Sequence, residues 1–90
     1  MADTSQEPPF TLLTSPSELG SAVRRARNAV GMGLRDAAPH CGVGVRFLRE
    51  LEAGKPTARL DKVLQVMFAL NLLAIIVPLE AAMAELGPKG

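Results

Sequence analysis

Arg46 and Arg49 stand three positions apart, directly after a turn that carries Gly42 and Gly44. At that spacing two guanidinium groups share one face of a helix. Each can donate two parallel hydrogen bonds to a paired acceptor, where lysine offers only a point charge. Little else in the chain offers chemistry. His40 and Cys41 are the single histidine and the single cysteine of the 90-residue chain, so no second His or Cys stands at metal-ligand spacing from them. Cys41 reads as a small buried residue and His40 as an exposed one. A nucleophile needs a general base in a pocket, and one histidine in so short a chain does not supply it. The expectation is a protein with no catalytic residues, no metal, no cofactor and no small-molecule substrate.

The elements that must carry the two arginines are helical. Hydrophobic residues make up 48% of the sequence but aromatic ones only 3%, so one core built on Leu, Val, Ala, Ile and Met is expected. Ser15-Pro16-Ser17-Glu18 is a helix-start signal. It opens a first helix over 16–30 whose apolar stripe is Leu19, Val23, Ala26 and Val30, closed by Gly31. Arg24, Arg25 and Arg27 lie off that stripe and read as a solvated surface. A second helix spans 34–41, with Ala37, Ala38 and Cys41 on a small-residue face; Pro39 should kink it or cut it short. Gly42-Val43-Gly44 is a tight turn in which Gly42 takes the left-handed conformation and Gly44 caps the next helix. That third helix, over 45–53, buries Leu48 and Leu51 and turns Arg46, Arg49 and Glu50 outward, while Glu52 reads as a structural partner near the Gly54 break. Leu60, Val63, Leu64, Met67 and Leu70 mark a fourth helix over 58–70 as the core helix.

Two short helices joined by a glycine-containing turn, the second presenting arginines, form a helix-turn-helix. Such a second helix fits the major groove of duplex DNA, and its first turn reaches base edges. The net charge of only +1 does not by itself announce a polyanionic partner, so this reading rests on where the arginines fall. The run Cys41-Gly-Val-Gly-Val-Arg-Phe-Leu-Arg-Glu-Leu-Glu-Ala-Gly-Lys55, followed by Leu60-Asp-Lys-Val-Leu64 and Ala69-Leu70, resembles the Xre/Cro-type helix-turn-helix DNA-binding family over roughly residues 15–77. Within that family the Ser-Pro-x-x-Leu helix start looks like that of the HipB-like antitoxins. The resemblance implies an all-α, lambda-repressor-like domain of four to five helices with a short C-terminal β-strand for dimerisation. It implies a homodimer that binds a palindromic operator in double-stranded DNA as a transcriptional repressor, and a kinase-like toxin as partner. Position by position it makes Gly44 the start of the recognition helix, Val45, Arg46 and Arg49 its base-facing residues, and Lys55 a phosphate contact.

The strand is also readable from the residues. Leu73-Ala-Ile-Ile-Val77 is rich in β-branched side chains and stops at Pro78. A lone strand is not stable, so Leu73, Ile75 and Val77 are expected at a dimer interface, paired with a second copy or with the short apolar segment Phe10–Leu13. Residues 79–86 suit a short terminal helix. The expected organisation is a flexible arm over 1–9, a DNA-binding domain with its strand over 10–78, and a helix and tail over 79–90. With one cysteine and no apolar signal or span, the expected compartment is the cytoplasm, with no membrane association. Two departures from the family stand out. Gly33-Leu34 replaces the Thr-Gln that commonly opens the second helix, and Pro39 is foreign to it. Both motivate an alternative role, in which the same fold serves as a protein-interaction module that binds a partner, the toxin, with weak or no specific DNA binding.

Overall fold

Ser15 launches the first helix, α1 (Pro16–Ala29): its hydroxyl accepts from the Glu18 amide at 3.2 Å, and Pro16 fills the first turn. The Glu18 carboxylate accepts in turn from the hydroxyl and amide of Thr14 at 2.7 and 2.6 Å, bonds that hold it below its ordinary pKa. The computed structural model describes residues 10–86; the arm expected over 1–9 and the last residues, 87–90, lie outside the described residues. After α1 come α2 (Leu34–Cys41), α3 (Val45–Glu52), α4 (Leu60–Ala69) and α5 (Leu79–Leu86), and the described residues contain no strand.

The proline inside α2 does not shorten it. Pro39 removes one donor, yet the helix runs on to Cys41. The donor lost is the one that would reach the carbonyl of Arg35, and both residues lie on the exposed face, where water can satisfy that carbonyl. Two residues later Gly42, at φ 76°, closes the helix, with the Val43 amide donating to the Ala38 carbonyl at 3.0 Å.

The core lies where α1 packs on α3, α3 on α2 and α2 on α4. Val23 comes from α1, Ala37, Ala38 and Cys41 from α2, Leu48 and Leu51 from α3, and Val63, Val66 and Met67 from α4. Each large aliphatic side chain buried this way contributes about 1.5–3 kcal/mol. The small faces let the backbones come close. A Cβ on Gly20 of α1 would lie 2.5 Å from the Glu52 carbonyl oxygen and 2.6 Å from that of Leu51, so glycine alone permits this crossing.

Further expectations change. The fourth helix begins at Leu60 rather than 58, after Arg59 in an extended conformation. Its apolar residues divide: Val63 and Met67 are buried, while Leu60 and Leu64 are 68% and 48% exposed, because the buried side of α4 centres on Val66 instead. Val30 likewise stands 44% exposed just past the end of α1. Arg27 is not a solvated surface residue. Its Nε and Nη2 donate to the two carboxylate oxygens of Glu52 at 2.6 and 2.7 Å, and Nη1 donates to the Met32 carbonyl at 3.0 Å. Glu52 is 6% exposed, and it holds the Arg27 guanidinium above its ordinary pKa. The bidentate pair staples α1 to the end of α3.

The segment expected as a strand, Leu73–Val77, forms no ladder here and lies as irregular chain between α4 and α5. A strand exists only by pairing backbone groups with a neighbour, and the Phe10–Leu13 segment does not take that place: Phe10, Leu12 and Leu13 are themselves about half exposed. The terminal helix expected over 79–86 is present as α5.

Candidate nucleic-acid interface

The turn between α2 and α3 is fixed from outside as well as by its own backbone. The Gln65 amide on α4 donates to the carbonyls of Cys41 and Gly42 at 2.8 and 3.2 Å. These are carbonyls that the end of α2 leaves without helical partners. Gly42 is favoured by its positive φ, and a Cβ there would lie 2.6 Å from Gln65 Nε2, so that the Gln65 amide would have to shift from its bonds to the turn. His40 adds a second tie between the same helices, its Nε2 lying 3.1 Å from the Ala69 carbonyl oxygen.

Gly44 then opens α3 in an extended conformation, φ −78° and ψ 157°, and its carbonyl accepts from the Leu48 amide at 3.1 Å. Leu48 and Leu51 anchor the inner face. The outer face carries Arg46, 87% exposed at the side chain, and Arg49, also exposed and without a carboxylate partner among the described residues. Val45 is half-buried and packs partly against the core, so its reach from this face is shorter than that of the arginines. Lys55 lies in the turn that follows α3, its side chain 46% exposed. Four of the five residues expected at the interface, Gly44, Arg46, Arg49 and Lys55, therefore lie exposed along one helix and its two flanking turns.

Glu50 ties two of them together. Arg46 Nε donates to Glu50 Oε2 at 3.2 Å and Lys55 Nζ to Oε1 at 3.0 Å. The Lys55 bond first, then the Arg46 bond, hold the Glu50 carboxyl below its ordinary pKa. The i to i+4 spacing of Arg46 and Glu50 carried this signal in the sequence; the reach back from Lys55 required the fold. Elsewhere the one thiol, Cys41, is 3% exposed, and burial pushes its pKa up. No cluster of His, Cys, Asp and Glu among the described residues could hold a metal ion. Among the same residues, no helix is long and apolar enough to cross a membrane.

A short helix, a glycine-closed turn and a second short helix with a cationic outer face, braced from behind by a fourth helix, define a helix-turn-helix domain. The comparisons agree. An uncharacterised HTH-type transcriptional regulator of Sinorhizobium fredii (strain NBRC 101917 / NGR234), y4mF, is 42% identical over 59 residues, which are 66% of this chain and 78% of that protein. The chain belongs to the HTH-type transcriptional regulators. Its fold is that of HipB: it matches HipB in an O4 20mer complex with a TM-score of 0.69 at 19% identity, over 77% of this chain and 97% of that one. A HipB variant in an O2 20mer complex gives the same TM-score and identity, with 96% of that chain covered. No family model matches the chain.

Proposed function

We propose that the chain is a sequence-specific DNA-binding repressor that reads a palindromic operator as a homodimer. In this reading it is the antitoxin of a HipBA-like pair, and a kinase-like toxin is its protein partner. The observation that carries the DNA reading is the placement of Arg46 and Arg49 on the solvent face of a helix launched at Gly44. Arg46 keeps its two terminal nitrogens free of the Glu50 contact, which leaves a fork for the O6 and N7 acceptors of guanine. Lys55, one turn beyond, suits a backbone phosphate.

Titration against the DNA upstream of its own reading frame tests this. Arg46→Ala and Arg49→Ala should each weaken binding by about 1–3 kcal/mol and relax base preference, and binding should fall steeply with salt. Full retention by the double variant would overturn the reading.

The dimer is supported by what the tail leaves uncovered. Leu73 and Ile75 are 78% and 77% exposed and Val77 is half exposed, and at strand spacing they would share one face. Phe68 on α4, 77% exposed, adds to the same excess. Monomers seldom leave this much apolar surface open. Pairing with the same segment of a second copy gives Leu73, Ile75 and Val77 a sheet and a cover, and would place the two recognition helices about 34 Å apart. Light scattering should report twice the 9.5 kDa chain mass, and Ile75→Asp should return it to monomer. A monomeric parent would exclude the intersubunit sheet.

A second reading, a partner-binding module with weak DNA affinity, is favoured by one observation: Gly33 gives α2 no side-chain cap, where a hydroxyl could also contact phosphate. Tight co-purification of a partner without retention of upstream DNA would select it.

A further inference from the structure

We propose that Glu50 sets how sharply α3 discriminates among DNA sequences. Its carboxylate grips Arg46 by the inner Nε edge and Lys55 by the ammonium, so that one guanidinium is presented end-on while part of both positive charges is withheld from a featureless phosphate backbone. This rests on the DNA-binding reading above.

The geometry is specific. One carboxylate accepts from both cations, at 3.2 and 3.0 Å, on a side chain that is itself only 34% exposed. Arg46 is engaged through Nε, and its exposed terminal nitrogens retain the end-on fork that matches a guanine edge. A guanidinium already held in one orientation loses less rotamer freedom on docking, a gain realised only where a matching base edge is met. Affinity for any duplex depends instead on how many phosphates are neutralised. Of the cations at this face, Arg46 and Lys55 must share the Glu50 charge, whereas Arg49 does not. The carboxyl stays ionised below the ordinary carboxylate range. The grip is therefore complete at neutral pH and is lost only as pH falls through that lowered value.

The test compares Glu50→Gln with Glu80→Gln, a change of equal charge in the first turn of α5. Fluorescence anisotropy is measured across a salt series on a random-sequence 20-base-pair duplex and on the duplex from upstream of the reading frame. Glu50→Gln should tighten the random duplex about tenfold more than the control does, and steepen the slope of log K against log salt by about one to two. The upstream duplex should gain less, so the ratio of specific to random affinity falls. An equal response of the two variants on random duplex, or an unchanged slope, overturns the proposal while leaving the DNA reading intact. If the parent retains neither duplex at low salt, the DNA reading fails and this proposal with it. The melting temperature of Glu50→Gln should stay within about 3 °C of the parent; a larger drop makes Glu50 a structural residue and also overturns it.

Discussion

Gly20→Ala should melt about 15 °C below the parent, a loss of about 3 kcal/mol for a domain of this size. Helix propensity predicts the opposite sign, since alanine in a helix interior is favoured over glycine by about 1 kcal/mol. The sign of the measured change therefore separates the two effects. The added Cβ would meet the carbonyl oxygens of Glu52 and Leu51 at 2.5 and 2.6 Å, and backbone atoms cannot swing aside as a side chain would. Relief requires α1 to move off α3, which opens gaps around Val23 and Leu48, both fully buried. Overpacking of this kind costs about 1–3 kcal/mol and more where the neighbour is rigid. Urea denaturation with an unchanged m-value would confirm that stability alone has changed. A variant as stable as its parent would show that the helices are not held at this crossing.

Glu52→Ala should cost about 3–5 kcal/mol, because it strands a nearly buried cation. Arg27 is 12% exposed at the side chain and has both its Nε and Nη2 on the lost carboxylate. Arg24, whose Nε lies 3.5 Å from Glu52 and whose side chain is 56% exposed, can turn to water and loses little. The pair is not expected to be worth that much in itself. Replacing both partners together, Arg27→Met with Glu52→Leu, should cost far less than Glu52→Ala alone, since a buried ion pair exchanged for packed apolar groups is often neutral. Chemical denaturation of the two variants reads the contrast. Similar losses in both would mean that the ion pair contributes net stability beyond the desolvation of its members.

The local parts of this fold are legible in the chain. Ser15 and Pro16 start α1, the positive φ of Gly42 ends α2, and the spacing of Leu48 and Leu51 sets the inward face of α3; each is a short-range constraint. What required the structure is the relation between elements. Arg24, Arg25 and Arg27 look alike in sequence, and only the meeting of α1 with α3 makes Arg27 the partner of Glu52. Gly20 sits in an ordinary helical pattern, and nothing near it in the chain reveals a carbonyl waiting where its Cβ would be. The apolar residues of α4 outnumber the places the helical core offers them, so Leu60, Leu64 and Phe68 are left outside, and periodicity does not say which will be. The outward placement of Arg46 and Arg49 on α3 was legible because turn, helix and break come in sequence order. Its internal restraint by Glu50 was only half so, since Lys55 returns from beyond the helix end.

One helix lies behind both halves of the proposed activity. Gln65 of α4 holds the turn that aims α3, and four residues after Ala69 the same chain reaches Leu73, the first residue of the proposed subunit contact. In the proposed dimer a ten-residue helix, about 15 Å long by its rise, would therefore serve as the gauge between reading head and symmetry axis. In such a pair the tolerated separation of operator half-sites is a property of α4 and the bend at Asn71, whose φ is 67°, and base preference can drift on α3 without disturbing it.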